Sequence, residues 1–345
     1  TRFPMQQRGK ADMHKFEHNY QNADGIVEIA KDGLCHRCGA CVGVCPVGTL
    51  ATDKSGYPEI VDSCIDCNIC VNACSGIAVD YDGIGKRLFG DAYVNDDPMG
   101  VVRNAYVAHA ADQAFHRGGA SGGVVTQILS FLLESGAIQG AVVVVEDPDD
   151  PSLGKGIVAR NREDLLRSQQ SRYTTSPHLS VLNEIKDDDG RFALVGLPCQ
   201  IHSLRKRQDM DPRWKKRIPL VIGLFCHYNL PTEVSRQVAA AVTPPGLDVR
   251  HVKYRESGEK GWPENTLDLE FSDGSHWHSP YGPAQTFNVL SRVTKLGRCL
   301  QCLDATAEFS DLSIADPWIR DEKGQWKYHD SDGWSSITVR TEAGQ

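Results

Sequence analysis

Residues 35–46 read CHRCGACVGVCP, and residues 64–75 read CIDCNICVNACS. The first is a C-x2-C-x2-C-x3-C-P run, and the second repeats its cysteine spacing 29 residues later. Together they hold eight of the chain's twelve cysteines. Three thiolates in C-x2-C-x2-C can wrap one face of a [4Fe–4S] cubane, while the fourth of each run ligates the other cluster. The spacing therefore assigns Cys35, Cys38, Cys41 and Cys74 to one cluster. Cys64, Cys67, Cys70 and Cys45 go to a second. Gly39, Gly43 and Gly48 are expected to let loop backbone approach the clusters and offer N–H groups to their sulfurs. Ser75 stands where the first run has Pro46, a departure that removes no ligand.

Zinc knots pair C-x2-C units at longer separations, so zinc is the weaker reading of these runs. A disulfide framework is weaker still, because the chain is long and its cysteines sit at metal-ligand spacing. The cysteine-rich stretch is similar to a bacterial two-cluster ferredoxin and is expected to form a domain over residues 30–82.

At 345 residues the chain allows about two or three domains. Its formal net charge of -8 argues against a nucleic-acid partner. Two short basic tracts, Arg205-Lys206-Arg207 and Lys215-Lys216-Arg217, read as solvated faces. The most apolar stretch, 124–145, is broken by Glu134, Ser135, Gly136, Gln139 and Gly140, so no membrane span is expected. No apolar leader opens the sequence, and the expectation is a cytoplasmic protein. Residues 1–29 read as a polar N-terminal extension and 83–99 as a Gly/Asp/Asn-rich linker.

From residue 100 the pattern becomes α/β. Strands are expected at 101–110, 137–146, 192–195 and 218–225, with helices at 124–134, 161–168, 201–208 and 231–242. From Leu247 the signal turns to antiparallel strands at 249–255, 266–271 and 275–279, with a last strand at 335–340. The fold class is therefore α+β / α/β: a two-cluster ferredoxin-type domain, then a mixed α/β domain with an antiparallel β-rich C-terminal part. That second domain, 100–345, is expected to divide into lobes of about 100–180 and 181–345.

Four cysteines remain. Cys199 and Cys226 follow apolar strands, at the end where α/β sheets bind ligands, and Cys299 and Cys302 form a C-x2-C pair. A third cubane, a structural zinc and plain buried thiols are all compatible with that spacing. The turn Arg117-Gly118-Gly119-Ala120-Ser121-Gly122-Gly123 could cradle phosphate at a helix start, although such turns also serve folding alone. The loop Gln170–Pro177 (QSRYTTSP) offers hydroxyls, an arginine and an aromatic ring.

Six blocks carry a resemblance: RGGASGGVVTQILSFLLESGAIQGAVVVV, QSRYTTSP, GLPCQI, GLFCH, CLQCLDATAEFSDLSIADPW and GWSSITVRTEAG. In this order they resemble the coenzyme F420 hydrogenase/dehydrogenase beta subunit family, over about residues 100–343. The resemblance implies an FAD protein with iron–sulfur clusters. It implies that Cys199, Cys226, Cys299 and Cys302 hold a third [4Fe–4S] cluster. It places flavin contacts at Ser121, Gly122, Gly123, Thr126, Ser171, Arg172 and Tyr173.

A flavin exchanges electrons in pairs or singly, whereas cubanes pass them one at a time. The resemblance then implies an F420-type oxidoreductase, acting alone or as a subunit, that links F420 or a similar small molecule to a redox partner protein such as a ferredoxin, hydrogenase, dehydrogenase or reductase. The expected electron path runs from FAD to the third cluster and on through the two ferredoxin clusters. Alternatives are an electron-transfer adaptor subunit, or a ferredoxin-dependent reductase of a tetrapyrrole or other bulky substrate lined by Trp262, Trp277, Tyr281 and Trp318. No acid–base dyad stands out. His227 is the foremost proton-transfer candidate, with His109, His116, His202 and Asp316 behind it.

Overall fold

A computed structural model of the chain describes residues 19–256, 265–280, 294–328 and 332–345. Trp262 and Tyr281 lie outside the described residues. The cysteine-rich unit is built from α1 (Asn22–Lys31), α2 (Ala40–Gly43), β1 (Leu50–Thr52), β2 (Pro58–Ile60) and α3 (Ile69–Ala73). β1 and β2 pair antiparallel. Ala23, Ile26 and Ile29, three residues apart, form one apolar stripe of α1. They pack with Val44, Leu50, Val71 and Ala73 into a small core. Residues from Ala23 onward thus belong to this unit's core and not to an extension.

The stretch expected as a linker opens with a helix, α4 (Tyr81–Phe89). Asp80 caps it by accepting the Gly83 N–H at 2.9 Å. Tyr81, Leu88 and Phe89 pack against the central core, which is why glycine and aspartate here do not make a free tether.

The remainder runs in order through β3 (Asn104–Ala108), α5 (Gln113–Gly118), α6 (Val124–Glu134), β4 (Gly140–Glu146), β5 (Gly154–Ala159) and α7 (Arg162–Arg167). It continues with β6 (Phe192–Gly196), α8 (Pro198–Met210), α9 (Arg213–Arg217), β7 (Leu220–Leu224) and α10 (Thr232–Val242). The last elements are β8 (Val249–Glu256), β9 (Thr266–Phe271), β10 (His276–His278), β11 (Leu312–Ala315) and β12 (Ser335–Val339).

Seven strands form one sheet in the order β3-β12-β11-β7-β6-β4-β5. β11, β7, β6 and β4 are parallel, and antiparallel strands close both edges. The parallel strands are near-continuous apolar runs because both faces are covered. Alternate residues go to opposite faces. Val142, Leu194 and Val221 enter one core with Ile201, Leu204, Trp214 and Phe309. Ala141, Val143, Ala193 and Ile222 enter the other with Val124 and Leu129 of α6.

Strands from 104–159 and 192–339 are thus interleaved in a single sheet, so the expected division near residue 180 separates no two sheets. β8, β9 and β10 make a separate antiparallel sheet that packs with α10 through Leu230, Val234, Tyr254 and Leu269.

The cysteine-rich unit docks on the first of the two sheet cores through the 3-10 helix His178–Ile185. The Leu179 N–H donates to the Cys38 carbonyl at 3.0 Å. A Cβ on Gly43 would stand 1.9 Å from the Leu179 carbonyl oxygen, and one on Gly39 would stand 2.3 Å from that of Pro177. These two glycines permit backbone-to-backbone packing between the units, a demand separate from the cluster approach expected of them. The basic tract 205–207 is also not a solvated face. Arg205 is buried and donates to Asp311 at 3.2 Å, and Lys206 Nζ donates to the carbonyls of Cys74 and Ala78.

Candidate functional site

All twelve cysteines are free thiols. Cys35 and Cys38 lie on the loop before α2, Cys41 lies within α2 and Cys74 ends α3. Burial pushes the Cys35 thiol up to about 12, and the charge of Cys38 adds to it. Cys41 is pushed up by burial and by the charges of Cys35, Cys38 and Cys74. The crossed fourth member, Cys74, is therefore an electrostatic neighbour of the first run.

The other crossed set lines a cavity of its own. Cys45, Cys64, Cys67 and Cys70 surround it, with Pro46, Val47, Ile65 and Asn68. Cys64 and Cys67 are exposed, so this is the outermost of the thiol groups.

The remaining four cysteines also converge. Cys199 is the second residue of α8, Cys226 lies just beyond β7, and Cys299 and Cys302 sit on and after the 3-10 turn Gly297–Gln301. All four line one cavity with His36, His227, Tyr228, Asn229 and Asp304. Cys199 is pushed well up by burial, then by the charges of Cys38, Cys226, Cys299 and Cys302. Cys38 belongs to the first ferredoxin-type set, so these two groups are neighbours.

Local sequence explains why these loops hold still. Pro198 opens α8, and Gln200 Oε1 accepts the Leu197 N–H at 2.7 Å. The Cys226 N–H donates to the Ala305 carbonyl at 3.0 Å. Arg298 Nε donates to the Gly76 carbonyl at 2.9 Å, and this fastens the Cys299 turn to the cysteine-rich unit.

The two segments that carry the residues expected to meet a flavin are joined through their neighbours. Gln170 Nε2 donates to the Gly118 carbonyl at 3.0 Å, and Gln169 Nε2 donates to that of Phe115 at 2.9 Å. Several of these residues serve the fold itself. Ser121 Oγ donates to the Trp334 carbonyl at 2.8 Å. Gly122 packs against the paired ends of β3 and β12, where a Cβ would meet the Ser335 nitrogen at 2.7 Å. Gly123 starts α6 with φ 69°, and Thr126 is buried. Ser171 follows directly on Gln170 in the bridging loop.

Arg172 and Tyr173 face inward. Arg172 lies 3.8 Å from Glu146, and burial pulls its pKa down. Its Nη1 and the Oε1 of Gln170 are buried without a hydrogen-bond partner. Tyr173 packs edge-on to Tyr254 at 6.0 Å.

Among the acid–base candidates, only His227 lines the third thiol cavity as an exposed side chain. His202 is buried and bound to Asp304. Asp316 pairs with Arg255 at 3.0 Å. His109 stacks on His116 at 4.4 Å and meets Trp334 edge-on. Trp277 packs on the antiparallel-sheet core, while Trp318 is exposed against Trp326.

Sequence reasoning misses His36, Asp304 and Ser203, although each lies within four residues of a cysteine of these groups. Among the described residues, no helix is long and apolar enough to cross a membrane.

Comparison with known proteins agrees with this architecture. The family description "Coenzyme F420 hydrogenase/dehydrogenase, beta subunit N-term" matches residues 105–183, and its C-terminal counterpart matches 189–345. The chain is 26% identical to a subunit of the F(420)H(2) dehydrogenase of Methanosarcina mazei, over 93% of this chain and 83% of that protein. It is 28% identical to the "Coenzyme F420-dependent sulfite reductase" of Methanocaldococcus jannaschii, over 92% of this chain but only 46% of that protein. A chain of the F420-reducing [NiFe] hydrogenase complex from Methanosarcina barkeri shares the fold, with a TM-score of 0.55 at 24% identity, over 73% of this chain and 79% of that one. With both halves of the family description matched across the greater part of its length, the chain belongs to the coenzyme F420 hydrogenase/dehydrogenase beta subunit family.

Proposed function

We propose that this protein is a cytoplasmic iron–sulfur flavoprotein subunit. It exchanges an electron pair with a deazaflavin of the F420 type and passes single electrons to a partner protein. The observation that carries this reading is the convergence of Cys199, Cys226, Cys299 and Cys302 on one cavity beside the Cys35/38/41/74 group. That arrangement suits a converter with an internal chain of one-electron carriers. The names of relatives support the client: an F420H2 dehydrogenase, an F420 hydrogenase and an F420-dependent sulfite reductase. Two of these are named as subunits, which supports a partner protein at the one-electron end.

The residues fit the implied groups. Each donor set is four free thiols, the complement of one [4Fe–4S] cubane. The C-x2-C-x2-C-x3-C spacing of the first two sets suits cubanes better than single tetrahedral ions, and the third set offers the same four donors. For the flavin, the loop that Gln170 bonds to the glycine-rich turn at Gly118 also carries Arg172, whose Nη1 is buried without a hydrogen bond and has Glu146 3.8 Å away, so Arg172 offers a guanidinium to a diphosphate. Ser171 and Tyr173 flank it. Gly122 and Gly123 keep the turn free of side chains, while Ser121 and Thr126 brace it.

A bound flavin supplies the exchange between hydride and single-electron chemistry. The chain's own residues do the rest. His227 offers an exposed imidazole at the cavity mouth, able to hold or release a proton there. Leu197, Leu296 and Tyr228 wall the cavity with apolar surface, and His202 with Asp304 fixes its two sides.

The test is anaerobic turnover. Protein with its iron and FAD intact should bleach F420H2 when given a one-electron dye. Full iron and FAD without bleaching would overturn the catalytic reading in favour of an adaptor subunit.

A further inference from the structure

Ser75 occupies the position that proline holds in the first cysteine run, and it is almost wholly buried, at 1% exposure. Its hydroxyl donates to the Cys199 carbonyl at 2.8 Å. It accepts from the Ser203 hydroxyl at 3.0 Å and faces Nδ1 of His36 at 3.4 Å. Its backbone N–H reaches Ser203 Oγ at 3.3 Å. A hydroxyl has one donor and two acceptor sites, so with His36 in its Nδ1–H tautomer these partners use all of it.

The partners come from both sides of a boundary. Ser75 is bonded covalently to Cys74, and His36 to Cys35, both of the first thiol group. Cys199 belongs to the third group, and His36 lines that group's cavity. Two short routes therefore join the groups, Cys74–Ser75···Cys199 and Cys35–His36···Ser75···Cys199. A proline at 75 would offer neither the N–H nor the hydroxyl, and both routes would be lost.

We propose that Ser75 is a positioning residue that locks the Cys35/38/41/74 nest against the Cys199/226/299/302 cavity and sets the electronic contact between the clusters they hold. This rests on the reading of both thiol groups as cluster sites. One electron leaves the cluster of one nest and enters the cluster of the other, with no bond made or broken. The residue acts by holding the route and the separation fixed, as outer hydrogen bonds do around metal ligands.

The experiment compares anaerobic holoprotein of the wild type, Ser75→Ala, Ser75→Thr and Ser203→Ala. Iron and sulfide are counted first. Magnetic interaction between the reduced clusters is then read by electron paramagnetic resonance, and electron redistribution between them is timed after flash photoreduction. Ser75→Ala should keep its iron, show weakened spin–spin broadening and redistribute electrons roughly tenfold more slowly, the lower end of what loss of an outer hydrogen bond does at metal sites. Ser75→Thr should restore both signals, because it keeps the hydroxyl. Ser203→Ala should shift them in the same direction as Ser75→Ala, and it serves as the second variant should the change beside Cys74 prevent assembly.

Wild-type broadening and wild-type redistribution in iron-replete Ser75→Ala, or in iron-replete Ser203→Ala where only that variant assembles, would overturn the proposal. Wild-type protein without iron would overturn the cluster reading beneath it, a separate failure seen at the first step.

Discussion

Nε2 of His202 donates to Oδ2 of Asp304 across 3.0 Å, with both side chains buried. His202 lies one turn along α8 from Cys199, and Asp304 lies two residues beyond Cys302, so this one bond ties two sides of the third thiol cavity. The other Asp304 oxygen accepts the Thr306 N–H at 3.0 Å, which shapes the loop that follows. His202→Phe should leave a buried carboxylate short of a partner, at a cost of about 2 kcal/mol or more. The expected readout is a lower unfolding midpoint and, on the proposed reading, selective loss of the iron assigned to Cys199, Cys226, Cys299 and Cys302. His202→Gln, which keeps an N–H donor, should recover part of both.

Arg340 is fully buried at the end of β12 and acts as a rivet. Its Nη1 donates to the carbonyls of Met99 and Val101 at 2.7 and 3.0 Å, its Nη2 to that of Thr306 at 3.0 Å, and its Nε to Ser313. Lysine has no planar fork and cannot reach these acceptors together. Arg340→Lys should therefore destabilise the protein by about 3 kcal/mol, as carbonyls are left unpaired. Denaturant unfolding under anaerobic conditions measures it, and a change within error of zero would refute the role.

Half-buried Glu308 has its pKa raised to about 7, by burial first and by the charge of Asp304 second. The folded chain holds this proton more tightly than the unfolded chain does. The ionised carboxylate thus weakens the fold above pH 7, and the penalty fades as pH falls toward the ordinary value of 4.5. Glu308→Gln should raise the thermal midpoint at pH 8 and leave it nearly unchanged at about pH 4.5. An equal gain at both values would show that the charge is not the cause.

His178 titrates in the opposite sense. Burial holds it neutral down to about 4, against an ordinary 6.5. The unfolded chain takes up a proton first as pH falls, so stability is lost between pH 6.5 and about 4. His178→Gln, which keeps a donor for the Val195 carbonyl at 3.0 Å, should flatten that acid limb in a plot of midpoint against pH.

Gly43 meets the Leu179 carbonyl so closely that a methyl group would push the cysteine-rich unit off the sheet domain. Gly43→Ala should split a single thermal transition into two, as the units unfold apart. A single unshifted transition would show that the contact does not couple them.

Much of this architecture is legible before any coordinates. The apolar runs at 140–146, 192–196 and 220–224 announce buried parallel strands, because such strands need no polar face. The spacing of both cysteine runs leads to the crossed assignment, and Cys45 lines one cavity with Cys64, Cys67 and Cys70. β11 escapes notice since LSIA is short and half its residues are small. α1 escapes because its buried stripe of Ala23, Ile26 and Ile29 follows a polar stretch, and its core is supplied by residues 44–73. The roles of Ser75, Lys206 and Arg298 depend on contacts between units distant in sequence, which no local pattern encodes. The glycines of the 117–123 turn show the converse. They look like a cofactor cradle, yet Gly122 is demanded first by its close approach to the paired ends of β3 and β12 at Ala108 and Ser335.

The most direct test of the central claim is an iron and acid-labile sulfide count on anaerobically prepared wild type and Cys199→Ser. Three four-thiol nests predict about twelve irons in the wild type and about eight in the variant. About eight irons in both proteins, or zinc in place of iron, would contradict the account.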